Sequence, residues 1–226
     1  MKNYREMITI LQHGPDEGPG IIPAIFREKS IPHEIVRLYE GEDVPATSGS
    51  GFIILGGQMS VNDEREYPFL AAEKTLIRSS MKEGNRVLGL CLGAQLIASA
   101  MGSQVFPSPC EQGWCRVTRT GETPPGFPKR PFVFQWHNET FDLPPGSRLI
   151  YSGANVRNQG FMNGSCLGVQ FHPEVTAETI DRWTHGFQGE ETYRMRQETR
   201  TYFPGSAEFC RSLLGLAFQG VGIYAP

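Results

Sequence analysis

Through the first half of the chain, short continuous apolar runs alternate with stretches in which apolar positions recur every three or four residues. The runs at 7–12 (MITILQ), 33–39 (HEIVRLY), 51–55 (GFIIL) and 86–90 (RVLGL) have the length of strands. An unbroken apolar run of that length is expected of a strand buried on both faces. The intervening segments 21–29, 67–82 and 93–101 have helical spacing. Pro68 is tolerated in a first turn, and Gly84 and Gly102 are stop signals. Strand, helix and strand in this order predict right-handed βαβ units on a parallel sheet.

Beyond Gly102 the texture changes. Short strand-like pieces at 104–106, 114–120, 131–136, 148–152, 159–162 and 167–171 are separated by Pro and Gly turns, as expected of antiparallel hairpins added to the sheet. Two closing helices are predicted at 178–187 and 207–218. The charged segment 188–202 reads equally as a helix or an exposed loop. No internal repeat or linker interrupts the chain, so residues 1–226 are expected to form one domain. Its core is expected over about 7–187, with 188–226 as a C-terminal helical extension.

Charge and cysteine content narrow the function classes. The 21 Lys and Arg residues against 24 Asp and Glu leave a net charge of -3, and no basic cluster stands out. Nucleic acid and anionic membrane surfaces are therefore poor partners. No apolar run approaches the ~20 residues needed to span a bilayer. The polar start, with no apolar stretch behind it, makes the cytoplasm the expected address. Five cysteines, Cys91, Cys110, Cys115, Cys166 and Cys210, make an odd set without paired spacing. That is a poor disulfide framework, and Cys110 and Cys115 lack the spacing of a zinc site, so no metal is expected.

The most informative stretch is Gly89-Leu90-Cys91-Leu92-Gly93, between a predicted strand and a predicted helix. G-x-C-x-G is the thiol version of the nucleophile elbow G-x-S-x-G. A sharp strand-to-helix turn holds its central residue in a strained conformation and projects the side chain above the sheet edge. The helix start adds partial positive charge beside the sulfur. On the turn alone, a buried structural cysteine is an equal reading. A nucleophilic thiol needs a base, and the base an orienting group. His172 ends an apolar strand, and His172 and Glu174, two apart in extended chain, face the same side. Pro173 stiffens the pair. Taken alone, His-x-Glu is more often a surface pair; beside an elbow cysteine it reads as base and orienting acid.

Together, GLCLGAQ at 89–95 and QFHPE at 170–174 resemble a class I glutamine amidotransferase domain. IILGGQMSV at 53–61 resembles that family's glycine loop after the third strand, and QWHNET at 135–140 its segment lining the glutamine pocket. LQHGPDEGPG at 11–20 is similar to the opening of stand-alone members resembling the glutaminase half of GMP synthase. The resemblance implies an open, mostly parallel, flavodoxin-like α/β sheet flanked by helices. It also implies hydrolysis of the side-chain amide of L-glutamine through a Cys91 γ-glutamyl thioester. By the same likeness His172 moves protons, Glu174 orients it, and the backbone N–H groups of Gly57 and Leu92 form the oxyanion hole. Synthetase-linked members usually have Pro where Gln58 stands, so Gln58 adds an N–H and a side chain at the hole.

Gln95, one helical turn beyond Cys91, matches a substrate contact, although a bond to nearby backbone is its plainer reading. His137, Asn138 and Glu139 match the segment that reads the ends of glutamine, with His137 expected to buttress it from behind. Gly113 and Trp114 are expected on a pocket wall, Trp114 as core, and His13 near the site rim. No cofactor is implied. The chain has no G-x4-G-K-[ST] loop, and Ser48-Gly49-Ser50-Gly51 precedes a strand instead of following it, so it does not cradle phosphate. The acceptor for ammonia is expected on an ATP-dependent synthetase subunit in trans. The alternative is a stand-alone γ-glutamyl hydrolase or transpeptidase using the same three residues, with the Gly/Pro-rich segment 121–130 widening its pocket. A scaffold relative without activity is disfavoured by the intact Cys, His and Glu.

Overall fold

The computed structural model describes residues 7–46 and 50–219. The polar start at 1–6 and Ser48-Gly49 of the glycine-serine stretch lie outside the described residues. The apolar runs of the first half form β1 (Ile8–Gln12), β2 (His33–Arg37), β3 (Gly51–Ile54) and β4 (Arg86–Leu90). With β6 (Thr118–Arg119), β8 (Arg148–Ser152), β9 (Asn158–Asn163) and β10 (Cys166–Val169) they make an eight-stranded sheet, ordered β2-β1-β3-β4-β10-β9-β8-β6. Neighbours from β2 through β10 are parallel, and β9, β8 and β6 continue antiparallel. A separate antiparallel pair joins β5 (Val105–Arg116) to β7 (Phe132–Phe141). This is the expected open, mostly parallel sheet with added antiparallel strands.

Because successive side chains of a strand point to opposite faces, each central strand feeds two cores. Ile8, Ile10, Ile53, Leu55, Leu88 and Leu90 pack beneath α1 (Ile22–Glu28) and α5 (Glu190–Ala217). Leu11, Phe52, Ile54 and Val87 pack beneath α2 (Phe69–Glu83) and α3 (Leu92–Ala100). The chain leaves α2 through Gly84, whose left-handed backbone lets its N–H bond the carbonyls of Met81 and Ser80. Thr176 caps α4 (Ala177–Trp183) by accepting from the Thr179 N–H.

Two predicted interruptions are absent. The strand pieces expected at 104–106 and 114–120 belong largely to one strand, β5, which runs through Pro107 and Pro109. Its pairing with β7 slips between Pro107 and Glu111, and prolines are tolerated where a ladder is broken. α5 likewise continues from 190 to 217 through Pro204, joining the undecided polar segment to the predicted closing helix. Proline in a helix interior costs ~3 kcal/mol, which tertiary contacts must offset. Here the Trp114 Nε1–H bonds Thr199 Oγ1 at 3.0 Å, and the rings of Phe132 and Tyr202 stack at 3.8 Å. Farther along, Phe209 stacks on Phe171 at 5.7 Å, so α5 belongs to the main core.

Candidate active site

The parallel strands β1, β3, β4 and β10 all end on one edge of the sheet, and each hands over a chemical group there. In a doubly wound fold this is the edge where ligands bind. At the end of β4, Cys91 sits at φ 50 and ψ -106, a backbone conformation that L side chains rarely adopt. The flanking glycines make the turn possible. A Cβ on Gly89 would lie 2.4 Å from the Gly93 carbonyl oxygen, and one on Gly93 would lie 2.1 Å from the Ile54 oxygen. α3 therefore starts in direct backbone contact with β3. No hydrogen bond among the described residues uses the N–H of Leu92 or of Gly57.

β10 leads into the candidate base. The His172 N–H bonds the Phe134 carbonyl of β7 at 2.8 Å, which fixes the backbone. Glu174 Oε1, 2.8 Å from Nδ1, holds the ring, and the Cys91 sulfur, which donates to the Trp136 carbonyl at 3.9 Å, is near enough to act on its charge. Trp183 covers it edge-on at 4.9 Å. Burial alone would lower the basicity of this imidazole, yet the Glu174 carboxylate and the Cys91 sulfur outweigh it and raise the pKa from 6.5 to about 10. The sequence-predicted Cys91, His172 and Glu174 thus stand together, all three buried.

That shift has a stability consequence of definite sign. Folding raises the His172 pKa, so its contribution is fully present below pH 6.5 and is lost as the pH rises through about 10. Glu174→Gln removes the largest raising cause. The Tm difference between wild type and Glu174→Gln is expected to shrink as thermal melts are moved from pH 6.5 to pH 10. A constant or growing difference overturns the assignment.

A cavity of about 600 Å3 opens above Cys91 and His172. It is bordered by Gly57 and Gln58 of the β3 loop, by Trp136–Glu139 of β7, by Cys110–Gln112 of the β5 irregularity and by Trp183 and Phe187. Gln95 lines it and donates to the Glu139 carbonyl at 3.2 Å, so its bond to backbone and its place at the site coexist. Asn138 is exposed on the wall, and Glu139 accepts from Ser60 Oγ at 3.2 Å. His137 is tied from behind, with Nδ1 3.1 Å from the Glu139 carbonyl and Nε2 3.2 Å from Glu111 Oε2. The Gln58 side chain, on the cavity wall, donates from Nε2 to Glu17 Oε1 at 2.8 Å.

Three expectations are corrected. Gly113 and Trp114 do not line the cavity, where residues 110–112 stand instead; Trp114 is core, as expected, packed with Phe134 under α5. His13 is not at the rim but completely covered behind the β3 loop. The Gly/Pro-rich segment 121–130 contributes nothing to the cavity, because Phe127 packs on Phe209 and the Pro128 carbonyl accepts from Tyr151 on the far side of the sheet. One residue was missed as a participant. Gln170, fully buried, directs Nε2 at the Cys91 sulfur at 3.7 Å and accepts from Gln95 Nε2 at 3.4 Å. The alternation that pairs His172 with Glu174 reaches Gln170 when carried two residues back. Cys166 and Cys210 are buried thiols pushed up by burial, Cys166 to about 11, and all five cysteines are free.

Comparison with known proteins gives a consistent picture. The family model described as glutamine amidotransferase class-I matches residues 22–184. The glutamine-hydrolyzing GMP synthase of Thermomicrobium roseum is 35% identical over 132 residues, which are 57% of this chain and 24% of that protein. A glutamine-hydrolyzing GMP synthase subunit from Saccharolobus solfataricus is 41% identical over 95 residues, 39% of this chain and 50% of its own length. The chain thus spans a quarter to a half of the length of these relatives. A solved glutamine amidotransferase from Thermotoga maritima superposes with a TM-score of 0.82 at 31% identity, covering 96% of this chain and 99% of its own.

Proposed function

Because the chain belongs to the class I glutamine amidotransferase family, we propose that it hydrolyses the side-chain amide of L-glutamine to glutamate and ammonia, with Cys91 as nucleophile, His172 as proton carrier and Glu174 as its orienting group. The single observation that carries this reading is the juxtaposition at the sheet edge. A strained elbow thiol meets a buried imidazole that a carboxylate 2.8 Å away holds in position.

In this reading the Cys91 thiolate attacks the amide carbon, and the carbonyl π pair moves to oxygen. The N–H groups of Gly57 and Leu92 receive the oxyanion. Collapse breaks the C–N bond while the His172 imidazolium gives its proton to the leaving nitrogen, releasing ammonia and leaving a γ-glutamyl thioester. The neutral His172 then takes a proton from water, whose oxygen attacks the thioester carbon. The C–S bond breaks, glutamate leaves, and thiolate and imidazolium are restored. Gln95 and the segment 137–139 are assigned to glutamine's amino and carboxylate ends. By analogy with the relatives named for GMP synthase, the ammonia passes to an ATP-dependent synthetase in trans.

One observation favours a second reading. A cavity of about 600 Å3 is within the range of sites for drug-sized ligands, and L-glutamine underfills it. A γ-glutamyl compound with a larger leaving amine fits the same machinery. The test pairs a chloroketone analogue of L-glutamine with turnover. The label is expected on Cys91, and not on Cys110 at the same cavity, with L-glutamine slowing its attachment. Release of ammonia from L-glutamine supports the first reading, and turnover confined to γ-glutamyl peptides the second. Labelling elsewhere, or at a rate indifferent to glutamine, overturns both.

A further inference from the structure

Behind the β3 loop, on the side away from the cavity, lies a second histidine–carboxylate pair that the proposed reaction does not use. His13, at the end of β1, places Nε2 3.0 Å and 3.1 Å from the two carboxylate oxygens of Glu73 on α2. Its Nδ1 lies 2.9 Å from the Gly56 carbonyl. Both side chains are completely buried, with Phe69 tilted against the imidazole. A backbone carbonyl and an ionised carboxylate only accept, so facing a Glu73 carboxylate both ring nitrogens donate, as in an imidazolium. Burial opposes that charge, but Glu73, the Gly56 carbonyl and the more distant Glu17 raise the ring's pKa above 6.5. Such a buried pair is not a cheap way to hold a loop.

What it holds is the peptide joining Gly56 to Gly57. A Cβ on Gly56 would meet His172 Cε1 at 2.8 Å, and one on Gly57 would meet Leu92 Cδ2 at 2.7 Å. The approach of the His172 ring leaves no room for a side chain at Gly56, and at Gly57 an added Cβ would crowd Met59, Leu92 and the His13 Cβ. Two glycines in a row leave their shared peptide free to rotate, because no Cβ resists it. The peptide is trans, so its carbonyl and its N–H point in opposite directions. With the Gly56 oxygen drawn back to His13, the Gly57 N–H faces the cavity; a rotated peptide would present a carbonyl lone pair to a developing oxyanion.

We propose that His13 and Glu73 are positioning residues that lock the Gly56–Gly57 peptide with its N–H toward the reacting carbonyl. This rests on the Cys91 reading above. His13→Leu removes the lock. It is expected to lower kcat for L-glutamine, and the rate of chloroketone inactivation, by about 30-fold to 100-fold, less than the ~100-fold to 1000-fold cost of losing an oxyanion donor outright. KM should change less than about threefold, as for an interaction made in the transition state. Alkylation of Cys91 by iodoacetamide, which develops no oxyanion, should stay within about twofold. His13→Asn keeps a donor near the Nδ1 position and should recover most of the loss, with Glu73→Gln falling between. Unchanged kcat in His13→Leu, or iodoacetamide alkylation falling in step with hydrolysis, overturns the positioning role. A Cys91→Ala control that hydrolyses glutamine at the wild-type rate overturns the Cys91 reading as well, which separates the two failures.

Discussion

Cys91→Ala is expected to lower L-glutamine hydrolysis by about 10^4-fold to 10^6-fold, the range in which removing the nucleophile of a catalytic triad falls. The loss should appear in kcat with little change in KM, since the cavity wall at 136–139 and Gln95 is untouched. A steady-state assay of ammonia release, with glutamate quantified in parallel, reads it directly. The backbone supplies an internal control. At φ 50, alanine inherits the strain that cysteine carries, whereas glycine relieves it. Cys91→Gly should therefore be as inactive as Cys91→Ala yet melt at a higher temperature. Equal melting temperatures would mean that the elbow stores no strain; retained hydrolysis in either variant would remove Cys91 from the reaction.

Gly93→Ala should damage stability and activity together. The added Cβ would stand 2.1 Å from the Ile54 oxygen and 2.8 Å from its carbon, atoms of β3 that cannot swing aside as a side chain can. Either α3 lifts off the sheet or β3 moves. A cost of ~3 kcal/mol or more is expected, the upper part of the range for single substitutions. Lifting α3 also displaces the Leu92 N–H and the Cys91 sulfur, and a shift of about 1 Å at a reacting group costs on the order of 100-fold in rate. Gly205→Ala is the contrast: it lies in α5 with no neighbour within 4 Å of the added carbon and should gain about 0.5–1 kcal/mol. Urea unfolding and glutamine turnover of both variants settle it. Similar behaviour of the two would refute the close packing of α3 on β3.

The parts of the fold written in local chemistry were legible from the sequence. The apolar runs of β1, β3 and β4, the glycines around Cys91 and the His-Pro-Glu after β10 each carry their meaning within a few residues. What escaped was decided by partners distant in sequence. Pro204 falls in the gap between segment 188–202 and the closing helix expected at 207–218, and the contacts of α5 with Trp114 and Phe132, on the β5–β7 pair, come from far along the chain. Pro107 and Pro109 read as turns, although the break in register that accommodates them is what brings residues 110–112 to the cavity. His13 gave no hint of its partner, because Glu73 is sixty positions away and looks like one more charge on an amphipathic helix. Segment 121–130 looked like pocket material by composition, but Phe127 and Pro128 anchor it to the opposite face.

The packing of Phe209 on Phe171 bears on when the site comes into being during synthesis. The ribosome releases the elbow at 91 long before α5, and the strand bearing His172 emerges between them. Until α5 docks, Phe171, the residue before His172, has Tyr151 against it but lacks Phe209. Domains assemble as units while the chain emerges N-terminus first. The order of translation therefore delivers the Cys91 elbow first, the His172 strand next, and the helix that completes the packing on Phe171 last.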